Sequence, residues 1–301
     1  MRSRCLLAVA AVLIAACSES SQSPTSPGTE PSFNRGHQQG PPPHVFYAKG
    51  SARAKSSRVD MTWHNGAILT SVVAENIFWG PSWSSSSFAG DKITGLDTYL
   101  SGFSNSNYAR TCDEYTGLAG TQVGPTLTSD GHVIDVSTAS GGGNTGAILA
   151  EVCKEITHPV SNGIYNVYTD LPRGNAGYCA YHTAGSCGGV QVQFAFYWEL
   201  DGDAGCDPQD TQTGHSQGLA ALANVTGHEM SEARTDPANG GWYDATGNED
   251  GDKCAWTFNV PHVTFSNGSV WKIQGEWSNN AYNTGTGYPN LRGQRGCLDG
   301  H

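Results

Sequence analysis

The sequence predicts an α+β fold: a mixed β-sheet with one long helix, stapled by disulfides. Three observations predict it. Strand-like stretches come first, then helical patterns, then more strands, then a long helix. Gly supplies 39 of the 301 residues and only 14% of the chain is charged, a composition unlike a helical bundle. Seven cysteines, Cys112, Cys153, Cys179, Cys187, Cys206, Cys254 and Cys297, lie in the body of the chain. In an exported protein such cysteines pair.

Export is read from the N-terminus. Arg2 and Arg4 precede an apolar run from Leu6 to Ala16. That run is too short to span a bilayer, which needs about 20 apolar residues, and suits a signal peptide over residues 1–16. Leu13-Ile14-Ala15-Ala16-Cys17 resembles a bacterial lipobox, so Cys17 is the expected lipidation site. The expected location is an exported protein, lipid-anchored to a bacterial membrane and facing the periplasm or exterior. Residues 17–57 are rich in Ser, Pro and Thr and read as a disordered tether. Residues 58–301 read as a single globular domain.

The elements of that domain follow from periodicity. Residues 67–79 are rich in β-branched and aromatic side chains and read as one or two buried strands. Residues 88–103 and 145–156 carry apolar residues at helical spacing. Residues 163–170 and 190–198 read as strands, the second alternating strictly at its start. Residues 219–234 form the long helix, which stops before Asp236-Pro237 because a residue preceding proline disfavours helix. Ser140 to Asn144 reads as a flexible loop rather than a phosphate cradle. Cys254 with Cys297 is the preferred disulfide, since it would staple the C-terminal tail to the segment carrying the chemistry. Seven is odd, so one cysteine is left over.

Charge excludes one class of partner. Lys and Arg number 16 against 27 Asp and Glu, a net charge of −11, and phosphate binding needs a clustered basic surface. The 8 Trp, 12 Tyr and 9 Phe exclude a disordered chain. The acidity is also locally concentrated. Glu229, Glu232, Asp236, Asp244, Glu249, Asp250 and Asp252 crowd around His228 in the sequence. If the fold gathers them, such a cluster is costly unless a cation sits among them.

The chemistry is read from Gly227-His228-Glu229-Met230-Ser231-Glu232-Ala233. His228 and Glu232 are four apart, on one helix face, and can grip one ion. Glu229, one residue round, suits a general base. This is the logic of the His-Glu-x-x-His zinc helix with Glu at the second ligand position, hence a zincin-like architecture and a zinc cofactor. The third ligand is expected from the acidic loop, Glu249 or Asp252 first, Asp236 less so. That loop alone would also suit calcium. Tyr243 is the candidate oxyanion stabiliser. His64 reads as a turn residue. His158 and His182 read as loop residues able to line a cleft. His215, roughly 20 Å from His228 if the intervening chain is helical, should not share the site.

Three stretches resemble the EXORDIUM, or phosphate-induced protein, family in its bacterial branch. They are Trp63-His64-Asn65-Gly66 with Ile77-Phe78-Trp79-Gly80, residues 163–198, and residues 227–254 with Glu249-Asp250-Gly251-Asp252-Lys253-Cys254. The resemblance spans about residues 58–298 in one order. It implies a secreted or wall-associated protein and the joint importance of His228, Glu229, Glu232, Glu249 and Asp252; it supplies no reaction. Two functions follow as expectations. One is a zinc metallopeptidase, with residues 190–198 as an edge for extended peptide. The other is a non-catalytic surface protein binding wall polymer, with a structural metal and Trp79, Trp83 and Trp242 as stacking platforms. In both, the membrane is met only through the lipid anchor.

Overall fold

The computed structural model describes residue 33, residues 42–51 and residues 59–300. The signal peptide, Cys17 and most of the expected tether lie outside the described residues. The fold is α+β on a mixed six-stranded sheet, as expected. In chain order its strands are β1 (His44–Tyr47), β2 (Val72–Trp79), β3 (Leu127–Asp135), β4 (Gly163–Pro172), β5 (Tyr178–Cys187) and β6 (Val190–Glu199). Their spatial order is β1-β5-β6-β4-β2-β3. The β3–β2, β2–β4 and β4–β6 pairs are parallel. β5 runs antiparallel to both β6 and β1.

Two sequence expectations change here. Residues 44–47 were read as tether, yet they form the edge strand β1, with His44 opposite His182 and Phe46 opposite Ala180. Its inward Val45 and Phe46 supply the burial that an extended tether lacks. Residues 190–198 were read as a docking edge, yet β6 lies between β5 and β4. Both of its hydrogen-bonding sides are occupied, so no peptide can add there.

The sheet is covered on both faces. Tyr168, Ala195 and Tyr197 pack on the side of α1 (Lys92–Phe103) and α3 (Gln217–Thr235). Val167, Phe194 and Phe196, one residue out of phase, pack on the side of α2 (Thr145–Glu155). This is the period-two alternation of a strand buried on both faces. Asn144 caps α2 by accepting from the Ala147 amide. Ser216 caps α3 by accepting from Leu219. Every residue of α3 after Gln217 is buried. Gly227 explains how closely α1 approaches: a Cβ there would lie 2.6 Å from the Tyr99 hydroxyl.

Residues 236–300 close over the solvent side of α3 with short elements. Trp242–Tyr243 pairs with Thr62–Trp63, and Arg295–Leu298 pairs with Glu276–Trp277. The described residues hold three disulfides: the expected Cys254–Cys297 pins this block, while Cys153–Cys187 ties α2 to β5 and Cys179–Cys206 ties β5 to the loop after β6. Cys112 is the odd cysteine, free and buried. No helix among the described residues is long and apolar enough to cross a membrane.

The Cys254–Cys297 bond closes a loop of 43 residues. On the chain-entropy account such a crosslink is worth about 4 kcal/mol. Replacing both cysteines by Ala should lower the unfolding free energy by about that amount in a denaturant titration. A loss under about 1 kcal/mol would show that the bond does not hold the C-terminal block.

Candidate metal centre

α3 carries its polar residues inward because it has no outward side. His228, Glu229 and Glu232 are each fully buried, beneath β5, β1 and the helical turn α4 (Asp250–Lys253). Glu249, which caps α4 in a reciprocal capping box with Asp252, is also fully buried. The sheet adds two histidines. His182 stands on β5, wholly buried, and His44 stands beside it on β1, the two rings stacked at 5.3 Å. His182 is therefore a strand residue, not the loop residue expected.

The distances make one connected cluster. His228 Nε2 lies 3.1 Å from Glu232 Oε1, one helical turn on. Glu232 Oε1 also accepts the Asp252 amide at 2.8 Å. His182 Nδ1 lies 3.0 Å from Glu229 Oε2 and 3.6 Å from Glu232 Oε2. Its other nitrogen, Nε2, lies 3.7 Å from Glu249 Oε2, and His44 Nδ1 lies 2.5 Å from that same oxygen. Three sets could each hold an ion: His228, Glu232 and Asp252; His182, Glu229 and Glu232, which shares Glu232 with the first; and His44, Asp236 and Glu249, which shares no member with either. Gly251 is required at this point, since a Cβ there would lie 2.7 Å from His228 Nδ1.

The electrostatics match that reading. Burial, then the nearby charge of Glu232, pushes Glu229 and Glu249 well above the usual carboxylate range. Burial, then the proximity of His44 and His228, pushes His182 well below the usual imidazole range. Both directions follow from burying charge without a counter-charge. Neutral imidazole is the ligand form of histidine. Buried polar atoms with no hydrogen-bond partner also gather here: His182 Nε2, His228 Nε2, Glu229 Oε1, Glu249 Oε1 and Asp236 Oδ2. So many unsatisfied groups in one place is costly without a ligand.

The remaining expected residues are placed as follows. Glu249 and Asp252 both reach the cluster. Asp236, the least favoured third ligand, does so too. The acidic loop does not gather as a calcium cage. Asp244 is spent on Thr246, Asn248 and Lys253, and Asp250 on Cys112, Thr235 and Gly251. Tyr243 stacks on His64 at 3.6 Å, and its hydroxyl is raised by burial and then by Asp236 and Glu249. His215 stacks on Trp271, apart from the site as expected. Trp79 and Trp83 are buried in the core rather than displayed as platforms, and Trp242 packs half-buried on Tyr115. Sequence reasoning missed His44 altogether. The one usable signal was the short β-branched and aromatic run Val45-Phe46-Tyr47 after the prolines.

Beside the cluster is a cavity of about 190 Å³. Phe46 and Asp252 form its inner wall, and Trp256, Asn248, Leu291 and Arg292 line the rest. Phe46 also stacks on the His228 ring at 3.9 Å. One side chain and one carboxylate thus face both cavity and cluster. Compared with protein-family models, curated proteins and solved structures, the chain matches none.

A further acidic group, Asp135, Glu151 and Glu155, lies at the far end of α2. Lys154 already fills it, 3.4 Å from Glu151 and 2.9 Å from Glu155. Burial, then its hydrogen bond with Asp135 and the charge there, raises Glu151 to about 7. A carboxyl raised in the folded state contributes stability below its unfolded pKa of 4.5 and loses it as pH climbs through about 7. Glu151→Gln should therefore remove a component of the fall in melting temperature over that window. An unchanged pH profile would sink this assignment.

Proposed function

We propose that this chain is an exported, metal-dependent hydrolase of the metallopeptidase kind, with zinc held in the three-histidine cluster. The observation that carries this reading is the set of buried, unpartnered ligand atoms, His182 Nε2, Glu249 Oε1 and Asp236 Oδ2, converging in one place. The groups that would hold the ion are one of three sets: His228, Glu232 and Asp252; His182, Glu229 and Glu232; or His44, Asp236 and Glu249. Imidazole nitrogen and carboxylate oxygen together suit zinc better than calcium, which prefers an all-oxygen shell. A bound zinc supplies Lewis-acid polarisation of a substrate carbonyl.

The chain's own residues supply the rest. Glu229 has one oxygen beside His182 and one without a partner, so it can carry a proton between attacking water and leaving amine. Its raised pKa suits that exchange. The cavity beside Asp252 offers Trp256 and Leu291 as apolar surface and Arg292 as a cation for a substrate side chain or carboxylate. The resemblance to a secreted, wall-associated family agrees with export.

One observation favours a second reading, a surface or wall-polymer binding protein with a structural metal. His182, His228, Glu229 and Glu249 are wholly buried, and closed sites are the structural kind. Elemental analysis and peptide-library turnover separate the two. The hydrolase reading expects stoichiometric zinc in the wild type. It also expects Glu229→Gln to keep the metal while losing about 10²–10⁴-fold in kcat/KM. Zinc with no hydrolysis of any library peptide supports the structural reading. A wild type without metal sinks both. For the anchor, Cys17→Ala should move the protein from the membrane fraction to the soluble one; unchanged fractionation would refute lipidation there.

A further inference from the structure

We infer that the cluster holds two zinc ions at once, one at its strand edge on His44, Asp236 and Glu249, the other against the helix on His228, Glu232 and Asp252. This rests on the metal reading above and counts its ions. The count follows from which groups stand together and which of them are shared.

Within each set the ligand atoms lie within 4.8 Å of one another. Ligands about 2.0–2.1 Å from one zinc stand at most roughly 4.2 Å apart, so a contraction of no more than about 0.6 Å closes either set on an ion. The two sets have no residue in common, and an ion in one takes no ligand from the other. The remaining set, His182 with Glu229 and Glu232, draws on Glu232 and so competes with the helix-side ion alone. Either way the groups divide into two places of three ligands each. Three protein ligands leave a zinc a fourth position for water.

A single ion would leave half of the cluster unsatisfied. Asp236 Oδ2 and Glu249 Oε1 are buried with no hydrogen-bond partner, and both belong to the strand-edge set. His228 Nε2 is buried in the same state and belongs to the helix-side set. Such atoms are costly to leave bare, and only an ion in each place answers all three. Each set also has a ligand supported from behind. The Gly240 and Gly241 amides hold Asp236 Oδ1 at 2.6 and 2.7 Å. The Gln274 side-chain nitrogen stands 3.1 Å from His228 Nδ1. His182 lies between the sets, with Nδ1 3.6 Å from Glu232 Oε2 and Nε2 3.7 Å from Glu249 Oε2. An imidazole ring separates the two places and they share no carboxylate, so the ions are not a bridged pair about 3.5–4 Å apart. Access divides their roles. Asp252 also lines the cavity, so the helix-side ion is the one that a substrate meets. The strand-edge ion ties β1 to the residue that ends α3 and the residue that caps α4, and acts as a clasp.

Elemental analysis of the full mature chain counts the ions. The wild type should carry two zincs per chain, and Asp236→Asn and Glu232→Gln one each. Two measurements on the wild type need no variant to fold. Cobalt titrated into the metal-free protein should raise the visible absorption up to two equivalents. X-ray absorption of the zinc-loaded protein should show no zinc–zinc distance below about 4 Å. Saturation at one equivalent of cobalt, two zincs retained in either variant, or a zinc–zinc distance of about 3.5–4 Å overturns the two-site assignment and leaves the metal reading standing. A wild type that binds no zinc overturns both.

Discussion

The helix Gln217–Thr235 has no face toward water, so each charge it carries must be answered from inside the protein. Arg234, also buried, donates to the carbonyls of Ala109 and Gly124 and lies near Asp250 and Glu276, whose carboxyls burial raises above the usual range and its charge offsets only in part. Glu232 takes the Asp252 amide. Glu229 takes a strand histidine. Much of the C-terminal block exists to deliver these partners: α4 brings Asp252, the segment before it brings Glu249, and the chain near Gln274 brings the amide that orients His228. Removing one partner from such a network costs more than the bond itself, because the other charge is left buried and alone.

That constraint also explains the three layers. A strand buried on both faces needs apolar residues in consecutive positions, and Phe194-Ala195-Phe196-Tyr197 provides them. The large aromatics carry most of this burial: Tyr168 and Tyr197 stack at 4.5 Å, and Tyr181 and Phe196 at 5.3 Å. Glycine appears where backbone or charge approaches too closely for a side chain. At Gly251 the reason is chemical, since the space a Cβ would fill belongs to His228 and Glu232.

The helix at residues 219–234 and the strands at 163–170 and 190–198 were legible from local pattern, because each is determined by its own period; the Cys254–Cys297 pair came instead from what it would staple together. The His228–Glu232 face was legible for the same reason. The partners of that face were not. Whether His182 points into a cleft or a loop depends on strand pairing between residues far apart in sequence, which no local period encodes. His44 was hidden by composition, because the prolines before it read as tether while the short strand-like run Val45-Phe46-Tyr47 is too brief to outweigh them. That Asp236 reaches the cluster was illegible for a third reason: its place depends on the turn at Gly240 and Gly241, whose amides take one carboxylate oxygen and leave the other buried without a partner.

The edge strand β1 ties ion and access together. It is four residues long, paired on one side only, with a register break between Phe46 and Tyr47. By those measures it is among the less strongly held elements of the sheet. Yet it carries His44 into the cluster and places Phe46 between the cluster and the cavity. An ion bound through His44 stabilises the docked strand by its own binding free energy. The docked strand in turn keeps Phe46 against His228 and water away from the buried acids. On the metal reading proposed above, the ion and β1 would each hold the other in place, and the wall that closes the centre is an edge strand rather than an interior one.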